Sequence, residues 1–90
     1  MVITKEREEK ILREASNISV KILKELGEGL REGITPLEID REAGFLCKKH
    51  RVKSAFKRVE GYNFNTCISV NDVAVHGVPK DIPFKEGDLV

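Results

Sequence analysis

The sequence predicts an α+β domain in which two helices are followed by an antiparallel sheet. Apolar residues recur at spacings of three and four from Thr4 to about His50, which is the period of amphipathic helices. Beyond Lys53, β-branched and aromatic residues become frequent, and Gly, Asn, Asp and Pro interrupt them at short intervals, as in strands joined by turns. Ninety residues suffice for one small domain and are too few for two, so we expect a single domain over residues 1–90.

The first predicted helix runs from about residue 4 to about residue 32. Its apolar residues fall on one face: Ile11, Leu12, Ala15, Ile18, Ile22, Leu23, Leu26 and Leu30. Gly27 and Gly29 weaken the last turns, because glycine is a poor helix former. Gly33 is placed to end the helix as a left-handed cap.

The second predicted helix spans about residues 36–50 and begins at a strong local signal, "ITPLEI". Thr35 is placed as N-cap, Pro36 as first helical residue, and Glu38 completes a capping box three residues after the cap. The residues expected to face inward are Leu37, Ala43, Leu46 and Cys47.

Strands are predicted within residues 52–90, with a tight hairpin turn at Asn71 and Asp72. Both residue types tolerate positive φ, and the apolar segments "CISV" and "VAVHG" flank them. A regular two-residue turn would place Cys67 directly opposite His76. This register brings a thiol and an imidazole to one face of the hairpin.

The composition excludes several classes of function. Sixteen Lys and Arg against fifteen Asp and Glu leave a net charge of +1, so no global field attracts a polyanion or an anionic membrane. No apolar run reaches the roughly 18 residues of a spanning helix, and the charged start "MVITKEREEK" is unlike a signal peptide. We therefore expect a cytoplasmic protein with no membrane partner and with both cysteines reduced.

One basic run, "KKHRVKSAFKR" at residues 48–58, leaves two interpretations open. It is either a phosphate-binding patch or a solvated helix end whose cations offset the negative end of the helix dipole. The solvated end is favoured, because a stacking platform for bases needs more than the single ring of Phe56. Nucleic acid is thus not the expected partner.

His76 and Cys67 are the residues whose side chains are best suited to catalysis or ligand binding. A lone histidine is as readily a hydrogen-bonded strand-end residue as a functional one, because neither a ligand nor a nucleophile stands at a diagnostic spacing from it. Cys67 with His76 as base would make a nucleophile pair, but nothing nearby in the sequence activates the thiol. A packed cysteine that lines a pocket is therefore favoured.

Taken together, "GYNFNTCISVNDVAVHGVP" and "FKEGDLV" resemble the N-terminal half of bacterial-type (type I) methionine aminopeptidases, and the resemblance extends over essentially all 90 residues. It implies the N-terminal half of a pita-bread fold, with His76 as the substrate-facing histidine that hydrogen-bonds the scissile peptide. Tyr62, Cys67 and Phe56 would line the pocket for the methionine side chain. The substrate would be the N-terminal methionine of peptides and nascent chains.

The same resemblance implies two divalent metal ions per site in the parent enzyme, held by five side chains that are absent from these 90 residues. The chain is accordingly expected to bind no metal alone, to be inactive alone, to need the missing C-terminal half of the fold, and to self-associate through uncovered edges. A non-catalytic binding module of the same fold and a small nucleic-acid or ribosome-contacting domain are the alternatives.

Overall fold

The computed structural model describes Val2 and residues 4–90 as two helices followed by a largely irregular segment. Helix α1 is Glu6–Glu28, helix α2 is Pro36–Lys49, and a single 3₁₀ turn occupies Phe56–Arg58. The extents are 46 × 26 × 21 Å. At about 1.5 Å per residue, the 23 residues of α1 account for most of the long dimension. Within the described residues, no helix is long and apolar enough to cross a bilayer.

Helix α1 ends earlier than the sequence predicts. The amide of Gly29 donates to the carbonyl oxygens of Glu25 and Leu26 at 3.2 and 3.1 Å, which closes the last turn. The predicted end near residue 32 is therefore wrong by about four residues. Gly33 does adopt a positive φ of 90°, but its amide donates to the carbonyl of Phe84 at 2.9 Å, so it joins the loop to the C-terminal segment.

Helix α2 begins at the predicted capping box. The Thr35 hydroxyl accepts from the amide of Glu38 at 3.1 Å, and the Glu38 carboxylate accepts from the amide of Thr35 at 3.1 Å. This reciprocal pair satisfies two of the amides that a helix start otherwise leaves without partners. The helix ends at Lys49, one residue before the predicted end.

The core lies where α2 contacts the C-terminal half of α1 and one loop aromatic. Its buried apolar members are Ile22, Leu26, Ile39, Ala43, Leu46 and Phe84. Phe84 is held in place because its amide donates to the carbonyl of Ile34 at 2.8 Å. Of the predicted inward face of α1, only Ile22 and Leu26 are buried, whereas Ile11 and Leu23 are 56% and 70% exposed. The N-terminal half of α1 therefore extends away from the core.

The predicted antiparallel sheet is not found, since no strand is assigned in Val2 or residues 4–90. The chain does turn at Asn71 and Asp72, where the amide of Val73 donates to the carbonyl of Val70 at 3.2 Å. A regular hairpin from that turn would pair Ile68 with Val75. Instead the Ile68 amide donates to the carbonyl of Gly77 at 2.7 Å, two residues farther along.

This offset has a local cause at His76, whose φ of 57° lies in the left-handed region. A left-handed residue breaks the regular alternation of a strand, so the ladder does not continue from the turn. The predicted pairing of Cys67 with His76 is therefore wrong.

Candidate functional site

Residues 66–70 run between two clefts that contain most of the predicted site residues. The first, here called the histidine cleft, has a volume of about 490 Å³ and is lined by His76 and Ile68 among others. The second, the cysteine cleft, has a volume of about 450 Å³ and is lined by Cys67, Phe56 and Cys47 among others. Adjacent residues 67 and 68 thus serve opposite sides of one segment.

In the histidine cleft, His76 is exposed and its backbone is fixed by the glycine that follows it. The Gly77 amide donates to the Ser69 hydroxyl at 3.2 Å, and its carbonyl accepts from the amide of Ile68. A Cβ at position 77 would lie 2.1 Å from the carbonyl oxygen of Ile68. Only glycine therefore permits this close approach of two backbones, which sets where the His76 side chain leaves the chain.

The three predicted pocket residues Phe56, Tyr62 and Cys67 come together: Phe56 and Cys67 line the cysteine cleft, and Tyr62 lies beside both of them without lining it. The Tyr62 hydroxyl lies 3.6 Å from the Cys67 sulfur and donates to the carbonyl of Thr66 at 2.6 Å. The rings of Phe56 and Tyr62 are 6.3 Å apart between centroids. Phe64, which the sequence analysis did not single out, packs edge-on against Tyr62 at 5.6 Å. Such tilted aromatic pairs are mutually attractive.

The environment of Tyr62 favours its neutral hydroxyl. Partial burial is the largest cause that raises the pKa of Tyr62 to about 12, followed by the hydrogen bond and electrostatic interaction with Cys67 and by the negative charge of Asp40. A phenol that stays protonated keeps its hydrogen bond to the Thr66 carbonyl. The ring is thus held beside the thiol throughout the neutral pH range.

Asp40, which the sequence analysis missed, holds the backbone next to Cys67 in place through hydrogen bonds from α2. Its side chain is only 5% exposed, and its Oδ1 accepts from the amides of Asn65 and Thr66 at 3.0 and 2.8 Å and from the Thr66 hydroxyl. The Asn65 side-chain amide donates to Asp40 Oδ2 at 3.3 Å. One buried carboxylate on α2 thus fixes the two residues that precede Cys67.

The sequence contained a signal for Asp40. It stands four residues after Pro36 and three before Ala43, which is the inward spacing of α2. An acidic residue at an inward position is expected only where donors surround it. The prediction that Ala43 and Leu46 face inward is confirmed, and Leu37 and Cys47 are half-buried.

The structure does not place His76 in the cleft of Phe56 and Cys67. The two parts are nevertheless close along the fold. Cys67 and His76 each adjoin one member of the hydrogen-bonded pair Ile68 and Gly77.

A metal centre does not fit the residues present. Within Val2 and residues 4–90, no group of three or more His, Cys, Asp or Glu side chains is arranged to hold an ion. Asp88, an acid that lines the histidine cleft, is already engaged. Its carboxylate accepts from the Lys85 amide at 2.8 Å and from the Asn71 side chain at 3.0 Å, and these bonds lower the pKa of Asp88.

Comparison with known proteins identifies relatives over nearly the whole chain. The model of metallopeptidase family M24 matches residues 10–90. A methionine aminopeptidase of Clostridium perfringens is 37% identical over 90 residues, which is 100% of this chain and 36% of that protein. Methionine aminopeptidase 1 of Bacillus subtilis is 36% identical over 91 residues, covering 100% of this chain and 37% of that protein.

A methionine aminopeptidase of Helicobacter pylori is 34% identical over 84 residues, which is 93% of this chain and 33% of that protein. The chain thus spans about a third of the length of the curated relatives it matches.

Proposed function

Because the chain belongs to metallopeptidase family M24, we propose that it carries the substrate-contacting part of a methionine aminopeptidase, an enzyme that removes the N-terminal methionine from polypeptides. The observation that carries the proposal is the cluster of Phe56, Tyr62 and Cys67, of which Phe56 and Cys67 line the cysteine cleft. These are the residues that the resemblance assigned to the methionine pocket.

The chemistry of the cysteine cleft suits a thioether. Its lining includes the core residues Ile22 and Leu26 and the free thiols of Cys47 and Cys67. Methionine has an unbranched, polarisable side chain that makes favourable contacts with sulfur and with aromatic ring edges. A volume of about 450 Å³ lies within the usual range of small-molecule pockets, so the side chain enters without displacing the core.

His76 takes the polar role in this proposal. Its exposed imidazole, held by the backbone at Gly77, hydrogen-bonds the first peptide bond of the substrate while the methionine side chain lies beside Cys67. A hydrogen bond that strengthens as charge develops on the peptide oxygen stabilises the transition state more than the bound substrate. His76 thereby positions the peptide and steadies the tetrahedral intermediate.

Bond cleavage itself is not assigned to these residues. In metallopeptidases, divalent metal activates water and polarises the carbonyl, and the described side chains do not fit such a centre. We therefore propose that the 90-residue chain binds and orients substrate but releases no methionine by itself, and that the metal ligands come from other polypeptide.

A chimaera tests the proposal. The 90 residues replace the matching third of the Clostridium perfringens relative, and methionine release from Met-Ala-Ser is measured with added divalent metal. The chimaera is expected to be active, and His76→Ala is expected to lower kcat/KM by about 100-fold, as for loss of one transition-state hydrogen bond. The control is His50→Ala, which alters the other histidine, at the C-terminal end of α2.

Circular dichroism confirms that both variants are folded before their rates are compared. Equal rates in the His76 and His50 variants would remove His76 from the mechanism. A Cys67→Ser variant is expected to raise KM more than it lowers kcat, because the thiol contacts the side chain and not the reacting bond.

A further inference from the structure

A third cleft, here called the basic cleft, lies between α2 and residues 52–58 and has a volume of about 550 Å³. Its charged lining residues are all cations: Arg41, Lys48, Lys53, Lys57 and Arg58. Phe45, Ser54 and Asn65 are among the uncharged residues that complete the wall. The carboxylates of the described residues do not contribute to it.

The positive charge of the basic cleft is much higher than the net charge of the chain would suggest. The whole chain has a net charge of +1, so the part outside the cleft is net negative. The ion pair found among the described residues, between Arg13 and Glu9, lies on α1 and involves none of the cleft cations. Five cations that form no ion pair within Val2 and residues 4–90 surround one concavity, and their positive potential raises the concentration of anions there.

The helix dipole accounts for only part of this arrangement. Lys48 lies in the last turn of α2, where a cation offsets the partial negative charge of the helix end. Arg41 lies in the first half of the helix, where the dipole gives a cation no advantage, and Lys53 and Lys57 follow the helix altogether. Folding thus adds a helix residue to the basic run of the sequence and turns a linear stretch into a two-sided cleft.

An exposed aromatic ring accompanies the cations. Phe45 is 65% exposed. It follows Arg41 by four residues and therefore lies beside it on the surface of α2. Phe56, the ring counted in the basic run of the sequence, lines the cysteine cleft instead. One exposed ring is too little for a platform on which successive bases stack, but it is enough to stack a single base beside a cationic groove.

We propose that the basic cleft binds a nucleoside phosphate, with the phosphate held by the cations and the base stacked on Phe45. The volume lies within the usual range for small-molecule sites. The nucleoside phosphate has two sources, a free nucleotide or a nucleotide within single-stranded RNA, and both present the same phosphate and ring. The basic cleft adjoins the cysteine cleft and shares five lining residues with it, Cys47, Val52, Lys53, Ser54 and Asn65. Binding of a nucleoside phosphate there does not depend on the proposed peptidase role.

Binding of the full 90-residue chain to a fluorescein-labelled ten-nucleotide oligo(U) and to AMP tests the proposal. Fluorescence anisotropy is followed for the first probe and calorimetry for the second, at several salt concentrations. For the oligonucleotide, log K is expected to fall with log salt by about 0.7 per phosphate contacted. The Lys53→Gln/Lys57→Gln double variant is expected to lose about two of these contacts.

The matched control is Lys21→Gln/Lys24→Gln, which removes the same charge from α1, outside the basic cleft. Phe45→Ala is expected to weaken binding by about tenfold with little change in the salt slope, because stacking is not an ionic contact. Binding of oligo(U) alone identifies RNA as the source, and binding of AMP identifies a free nucleotide. Absence of binding for both probes, or equal losses in the two double variants, overturns the proposal.

Discussion

Replacement of Asp40 by Asn removes one buried charge at nearly constant volume, and the structure allows its effect to be estimated. In the native protein the carboxylate accepts from the amides of Asn65 and Thr66, from the Thr66 hydroxyl and from the Asn65 side chain. Hydrogen bonds to a charged group contribute about 1.5–3 kcal/mol each, against about 0.5–1.5 kcal/mol for neutral ones. In Asp40→Asn, the new amide group cannot accept, so the Asn65 side chain loses its bond to Oδ2 and keeps only its bond to the Asp40 backbone carbonyl at 3.2 Å.

The expected loss in the free energy of unfolding is about 3 kcal/mol, from the lost bond of the Asn65 side chain and the weakening of the remaining bonds, which then go to a neutral acceptor. It is measured by urea denaturation followed by circular dichroism, with the slope m compared between proteins. The control is Asp81→Asn, which changes an exposed carboxylate and is expected to shift stability by less than about 0.5 kcal/mol. An Asp40→Asn protein as stable as Asp81→Asn would show that this carboxylate does not hold residues 65 and 66.

Three further predictions concern other parts of the fold. Gly77→Ala is expected to destabilise the protein by more than about 2 kcal/mol in urea denaturation, since its Cβ would overlap a backbone carbonyl. The control Gly27→Ala, with open space around it in α1, is expected to stabilise the protein by about 0.5–1 kcal/mol. A Gly77→Ala protein of unchanged stability would refute the close approach of the two backbones. Tyr62 is the one tyrosine, so absorbance at 295 nm reports its titration directly, with a midpoint near pH 12. The midpoint is expected to be lower in Cys67→Ala but to stay above 10.0, because burial, the largest cause of the raised pKa, remains. Since the folded pKa lies above the ordinary 10.0, the linked stability is complete below pH 10 and is lost as the pH rises to about 12. The isolated chain is expected to self-associate through the exposed apolar face of α1. Its sedimentation coefficient should therefore rise with protein concentration in the micromolar range, and rise less in Ile11→Glu. A monomer whose sedimentation coefficient does not depend on concentration would contradict this prediction.

The elements that the sequence predicted well are those determined by neighbours in the chain. The start of α2 depends on Thr35, Pro36 and Glu38, which lie within four residues, and each takes its expected role. The end of α1 depends on a balance between weak helix formers. Gly27 and Gly29 were recognised as weakening, but the sequence offered Gly33 as an equally good stop, and the contact that engages Gly33 comes from Phe84, about fifty residues away.

The predicted sheet is wrong for a related reason, because strand pairing also depends on contacts between distant parts of the chain. The β-propensity of residues 66–78 reflects side chains that fit a half-buried surface, and it says little about which backbones pair. The amides of Ile68 and Asn71 donate to Gly77 and Leu89, in two different segments, and the left-handed residue at 76 stops the ladder between them. The inward position of Asp40 indicates that donors surround it, but the sequence does not identify them, because Asn65 and Thr66 are 25 and 26 positions away along the chain.

The positive φ of His76 means that stability and the proposed catalytic role favour different residues at position 76. Left-handed backbone costs a side chain with a Cβ about 1–2 kcal/mol, and glycine avoids this cost. A population of variants sorted for heat resistance alone would therefore drift towards glycine or asparagine at position 76 and discard the imidazole. Sorting the same population for turnover would reverse that drift, so the two outcomes together separate a residue retained for its reactivity from one tolerated by the turn.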